Sequence, residues 1–315
     1  LHFHDKKGVP VLESKTMVSK DGDYNFTVYP GEHYIAAFVD VNQDNRFQPN
    51  ENGMYHGKPT KVVVAPKQVV TLEAITITGR VPKSDIKVRP IEKIRAVWKN
   101  IGKVVDMSDE RFNPAYYSMG LWRPFDFLDQ AEGGVFFLEK YDPKKIPVLF
   151  IHGAMGGPDN WETIIENVDR KRFQPWIFYY PSGLRLDIIS DYLVEAISRL
   201  RREYDFPKLF VVAHSMGGLV ARSFVKKYVA YSNHDSGRLG LVVTINSPME
   251  GIDSAAAGVA HCPIVVPCWR DVAPGSAFLR DVNAWNWPKD IPYYLFFSYV
   301  DGESGDSVVD LRSQI

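Results

Sequence analysis

Leu209-Phe-Val-Val-Ala-His-Ser-Met-Gly-Gly-Leu-Val-Ala221 is the stretch that decides the fold. An apolar run from Leu209 to Ala213 enters His214-Ser215-Met216-Gly217, and the chain leaves in an apolar pattern at helical spacing. A serine at a sharp strand-to-helix turn has its hydroxyl projected above the sheet. Small neighbours are needed there because the turn is strained and the helix must close against the strand. The helix N-terminus also directs partial positive charge at the same spot, which favours an oxyanion. An ordinary helix-capping serine is the alternative. His214, Met216, Gly217 and Gly218, placed between strand and helix, favour the sharp turn.

Outward from this point, strands and helices alternate. Val135 to Leu138, Ile146 to Ile151, Phe173 to Tyr180, Lys208 to Ala213, Leu239 to Ile245 and Ile291 to Val300 read as strands. Ile188, Ile189, Tyr192, Leu193, Ala196, Ile197 and Leu200 recur at helical spacing, and a second helix runs from about Gly217 to Tyr231. This alternation implies a mostly parallel α/β sheet with flanking helices over residues 134–315. Residues 1–80 read differently. Tyr24, Phe26 and Val28, then Tyr34, Ala36 and Phe38, alternate with polar neighbours, and Val62, Val64, Ile75 and Ile77 continue the pattern. The expectation is a small all-β sandwich, followed by a connecting segment over 81–133.

Ala213-His-Ser-Met-Gly-Gly218 resembles the nucleophile elbow of small secreted bacterial lipases within the α/β-hydrolase superfamily. Ala213 stands where the motif usually has Gly. The resemblance spans roughly residues 134–315. A narrower one, to bacterial two-domain hydrolases with a β-sandwich in front, rests on the layout. The family resemblance implies Ser215 as nucleophile. Leu149-Phe-Ile-His-Gly-Ala-Met-Gly-Gly157 resembles the oxyanion-hole loop, so the resemblance implies backbone N–H donors at Ala154 and Met216, with His152 shaping the loop. No P-loop lysine follows these glycines, which weakens a phosphate-binding alternative.

A serine hydroxyl needs an imidazole to take its proton and a carboxylate to orient that imidazole. In this fold the chain order is Ser, acid, His. Gly305-Asp306-Ser307-Val308-Val309 resembles the acid-bearing turn, which implies Asp306, with Asp301 and Asp253 as alternatives. All eight histidines (2, 4, 33, 56, 152, 214, 234 and 261) precede Asp306. The expectation is a catalytic histidine encoded after Ile315; a degenerate, non-catalytic relative is the competing explanation. The region between Asn246 and Asp306, with its apolar Ala255–Val259 and Ile264–Val266 stretches and Trp269, reads as a cap over an acyl pocket or as core beneath it.

Asp40-Val-Asn-Gln-Asp-Asn-Arg-Phe-Gln-Pro-Asn-Glu51 matches a calcium-loop template at Asp40, Asn42, Asp44 and Glu51. Asn45 replaces the usual Gly, so calcium and a plain acidic turn both stand. Cys262 and Cys268 could be bridged or free. The chain has 37 Lys+Arg against 38 Asp+Glu, a formal charge of -1, and no basic stripe, which gives a nucleic-acid partner no electrostatic support. The leading expectation is a serine esterase or lipase acting on acyl-ester or lipid substrates, with no cofactor required for catalysis. Peripheral membrane association and a cell-envelope, periplasmic or secreted location accompany that expectation. An acyltransferase on the same parts and a binding protein on a dead hydrolase scaffold are the alternatives.

Overall fold

The computed structural model describes residues 2–6, 9–14, 18, 22, 24, 26, 28, 30–39, 41, 51–57, 60–66, 68–79, 100–231, 238–262 and 265–315. Two units separate, Leu1–Val97 and Trp98–Ile315.

In the first unit, β1 (His2–Lys6), β2 (Val9–Ser14), β3 (Gly31–Phe38), β4 (Gly53–Tyr55) and β5 (Val62–Val64) form one antiparallel sheet. Its order is β2-β1-β3-β4, with β5 also on β3. Among the described residues this sheet is the all-β part expected of the N-terminal region. Residues 68–78 join no strand, although Leu72, Ile75 and Ile77 are half-buried between exposed neighbours. The alternation is therefore real, but the ladder expected from it is not formed there.

The second unit begins with β6 (Asn100–Val104), then α1 (Ala115–Trp122), α2 (Pro124–Gln130) and β7 (Gly134–Phe137). The expected connecting segment, 81–133, thus supplies an edge strand and two helices to the second unit. Its aromatic residues explain why: Phe112 packs edge-on against Phe136 at 5.2 Å, and Phe127 against Tyr179 at 4.8 Å. Gly and Pro break this segment into pieces too short for a clear periodicity.

Next come β8 (Ile146–Ile151), α3 (Glu162–Asn167), β9 (Phe173–Tyr179), α4 (Leu186–Tyr204), β10 (Leu209–His214), α5 (Met216–Tyr231) and β11 (Leu239–Ile245). After them lie α6 (Asp253–His261), α7 (Trp269–Val272), α8 (Ala277–Asn283), β12 (Tyr293–Phe296) and α9 (Leu311–Gln314). The sheet order is β12-β11-β10-β8-β9-β7-β6. Every pairing is parallel except that of β7 with β9. The last strand is shorter than expected because Ser298 and Val300 bond instead to Gln314 and Gly305 in the C-terminal turn.

Leu149, Phe150 and Ile151 are buried, as a centre strand covered on both faces requires. On α4, Leu186, Ile189, Leu193, Ile197 and Leu200 make one buried stripe. Burial of each such side chain is worth about 1.5–3 kcal/mol. Under α5, Val211, Ala213, Val242 and Thr244 are buried; the alternate positions Val212, His214, Val243 and Ile245 are half-exposed, and Tyr294 and Phe296 exposed. No helix of the described residues is long and apolar enough to cross a membrane. Both cysteines are free thiols, Cys262 exposed and Cys268 buried.

Candidate active site

Ser215 sits between β10 and α5 with φ of 53°, a left-handed conformation unusual for a residue with a side chain. Such a conformation costs on the order of 1–3 kcal/mol and persists only where the surroundings over-determine it. They do so here. The Ser215 N–H donates to the Ile245 carbonyl at 2.8 Å, and the Ser215 carbonyl accepts from the Gly218 N–H at 2.9 Å. A Cβ on Gly217 would collide with the backbone carbonyls of Ile151 and His152; one on Gly218 would collide with Ser247. The two glycines are therefore required by close approach, of α5 to the end of β8 and to the β11 exit. Met216 opens α5, so its N–H has no acceptor within the helix.

The loop after β8 comes up beside this turn. Ile151 pairs with Ala213, which brings Gly153 level with Ser215. His152 is buried, and its ring stacks on Tyr180 at 4.2 Å. Its Nδ1 lies 2.8 Å from the Gly153 carbonyl oxygen, and its Nε2 accepts from the Tyr180 N–H at 3.3 Å. A carbonyl only accepts and an amide only donates, so these partners place the proton on Nδ1. The Tyr180 hydroxyl donates to the His152 carbonyl at 2.6 Å. Burial lowers the His152 pKa to about 4, against the opposing effect of the Gly153 hydrogen bond. This neutral imidazole has both nitrogens committed.

The Gly153 carbonyl also accepts from the Gly156 N–H at 3.2 Å. Because the peptide is planar and trans, the Ala154 N–H points opposite to that anchored carbonyl. Ala154 is exposed, and among the described residues no protein acceptor takes its N–H. Met155 has φ of 51° and donates its N–H to Ser182 Oγ at 3.1 Å. Among the described residues, two backbone donors, at Ala154 and Met216, are thus left without protein partners on the two segments that meet at Ser215.

Asp306 belongs to a turn in which its Oδ1 accepts from the Val308 and Val309 N–H groups, at 3.0 and 2.7 Å. Ser307 takes φ of 74° to close it. Asp306 is half-buried, whereas Asp301 and Asp253 are exposed. Its charge reaches His214, where it favours the imidazolium; burial dominates and lowers the His214 pKa. Asp306 is thus within electrostatic reach of the residue before Ser215.

Between these elements the region 246–291 is anchored by a buried carboxylate. Asp271 accepts from the Leu186 N–H at 2.7 Å and from Arg185 Nε at 2.9 Å, both through Oδ2, and Oδ1 lies 2.6 Å from the second Arg185 nitrogen. Desolvation raises the Asp271 pKa, with Arg185 and the Leu186 N–H pulling the other way. Trp269 of α7 meets Trp122 of α1 edge-on at 5.6 Å.

The fold thus brings together the segments that carry Ser215, Ala154 and Met216, while Asp306 acts electrostatically on His214. Of the proposed calcium ligands, Asp40, Asn42 and Asp44 lie outside the described residues; Glu51 is buried and accepts from the Val41 N–H at 3.1 Å. Among the described residues no group of three or more His, Cys, Asp or Glu side chains could hold a metal ion. Sequence reasoning missed Tyr180, Ser182 and Asp271. Pro181-Ser-Gly183 was legible as a turn, but nothing local marks which loop its hydroxyl meets.

Residues 146–257 match the family model described as alpha/beta hydrolase fold. No curated protein matches the chain. Among solved structures, the mature lipase BlEst2 of Bacillus licheniformis is similar at 18% identity, over 53% of this chain and 73% of that one, with TM-score 0.42. The product of gene lin2722 from Listeria innocua matches at 17% identity over 54% and 77%, TM-score 0.40. The phospholipase PlaB of Legionella pneumophila matches at 16% over 54% and 46%, TM-score 0.41. From the strand order, the strand–serine–helix turn and the matched family model together, residues 146–257 carry the α/β-hydrolase fold.

Proposed function

We propose that the chain is a serine hydrolase of carboxylic acyl esters, with Ser215 as nucleophile. The observation that carries this is the left-handed Ser215 set beside two unpartnered backbone donors, Ala154 and Met216. In this reading Ser215 Oγ attacks the ester carbonyl, and its proton passes to an imidazole oriented by Asp306. The carbonyl oxygen takes up the negative charge, which the two N–H groups receive. Loss of one such donor typically costs about 10²–10³ in rate. Collapse of this intermediate expels the alcohol, which takes the proton back, and leaves the acyl group on Ser215. Water attacks the acyl-enzyme in turn, and the acid leaves as Ser215 recovers its proton.

The reading sets one requirement: a histidine whose ring reaches both Ser215 and Asp306. His152 does not meet it, because Gly153 and Tyr180 occupy both of its nitrogens. The test is a fluorophosphonate probe on the full natural chain, mapped by peptide mass, with Ser215→Ala as control. Labelling confined to Ser215 is the expected result. A folded natural chain that takes no label would leave a binding protein on a hydrolase scaffold.

A further inference from the structure

We propose that Ser182 is a positioning residue for the Ala154 donor, an inference that rests on the hydrolase reading above. Ser182 lies in the loop between β9 and α4, far from Ser215 in sequence, and is buried. Its hydroxyl accepts the Met155 N–H at 3.1 Å. Ala154 stands between two peptide planes. The Gly153–Ala154 plane is held through the Gly153 carbonyl by His152 Nδ1 and the Gly156 N–H. The Ala154–Met155 plane is held through its N–H by the Ser182 hydroxyl. The Ala154 N–H lies in the first plane, and the Gly156 N–H that helps hold that plane follows directly on Met155. Without Ser182 the left-handed Met155 turn could relax, withdraw Gly156 from the Gly153 carbonyl and free the donor plane. Ser182 closes that freedom.

Ser182 is itself fixed from two sides. The Gly183 N–H donates to the Gly120 carbonyl at the end of α1, at 2.9 Å, and the Gly183 carbonyl accepts from the Cys268 N–H at 3.2 Å. A Cβ on Gly183 would collide with the Leu121 carbonyl, so this loop is seated directly on α1. Three residues further on, Asp271 holds the Leu186 N–H and Arg185. The region 266–273 and α1 thus set where the Ser182 hydroxyl stands, and Ser182 passes that position to the oxyanion donor. Shifts of about 1 Å at a reacting group can cost on the order of a hundredfold in rate, so a single hydroxyl in this place has leverage on catalysis.

The experiment compares wild type, Ser182→Ala and Ser182→Cys in the full natural chain. It measures the rate of Ser215 phosphonylation and, on a short-chain ester, kcat and KM separately, with near-UV circular dichroism as the check on folding. The expected result is a fall of about tenfold or more in kcat and in phosphonylation rate for Ser182→Ala. KM should stay within about twofold, since ground-state binding is untouched. Ser182→Cys, nearly isosteric and a weak acceptor, should fall between. A purely structural role predicts instead that Ala and Cys lose activity alike and only in step with lost folded protein. If Ser182→Ala does not fold, Ser182→Cys at the wild-type rate overturns the proposal. Wild type that labels while a folded Ser182→Ala labels equally fast overturns the positioning role and leaves the hydrolase reading standing. Wild type that does not label removes the hydrolase reading, and this role with it.

Discussion

Gly153 is seated against Ser215: a Cβ on Gly153 would stand 2.8 Å from Ser215 Cβ and 3.3 Å from Ser215 Oγ. The glycine after His152 therefore answers to the serine sixty-two positions later, across the β8–β10 pair. Gly153→Ala is expected to push the nucleophile or the loop aside. Phosphonylation of Ser215 should drop by at least about tenfold, the scale expected when a reacting group is displaced by a fraction of an ångström. A Gly153→Ala protein that labels at the wild-type rate would show that the loop yields without consequence.

His152 predicts a pH dependence of stability. Its folded pKa, about 4, lies below the ordinary histidine value of 6.5. The folded state thus prefers the neutral ring, and the contribution is fully present above pH 6.5. It is lost as pH falls toward 4, because the unfolded chain takes up a proton that the folded one refuses. The span corresponds to about 3 kcal/mol. Urea unfolding at a series of pH values should show this slope in wild type and a shallower one in His152→Gln. Equal slopes would mean that the ring titrates freely when folded.

Asp271 and Arg185 should be strongly coupled. Arg185→Ala strands a fully buried carboxylate, an expected loss of about 3 kcal/mol, toward the low end because the guanidinium is partly exposed. Adding Asp271→Asn should recover part of that loss. The Asp271 pKa is already raised from 3.8, chiefly by desolvation. Its stabilising contribution is therefore present below pH 3.8 and lost as pH rises through the folded value, and Arg185→Ala should steepen that loss. Additive single and double variants in urea titrations would contradict the coupling.

The two thiols should differ. Cys262 is exposed, while burial, assisted by the Asp271 charge, pushes the Cys268 pKa up. Only a thiolate reacts readily with an alkylating agent. One equivalent of maleimide should enter the native protein, at Cys262, and a second only on unfolding. Two equivalents taken up natively, read by peptide mass, would place Cys268 at the surface.

The local grammar of the chain was enough for the α/β sheet. Ile146–Ile151 and Leu239–Ile245 are strands over those same residues, because short continuous apolar runs suit strands of a parallel sheet, although only the first is covered on both faces. Ser215 was legible because strand, small residues and helix are adjacent in sequence. The segment 100–130 was not: its short aromatic pieces acquire meaning only when Phe112 and Phe127 meet Phe136 and Tyr179.

The sequence by itself determined which residues could form the strained serine turn and the glycine-rich loop. These are contiguous motifs whose backbone demands are local. Only the tertiary structure decided what holds them: Gly153 on Ser215, Tyr180 on His152, Ser182 on Met155 and Asp271 on the start of α4. Those partners lie 27 to 85 residues apart. A hydrogen bond between side chain and backbone at such separations leaves no periodic trace, since its geometry is fixed by the packing of the sheet and not by neighbouring residues.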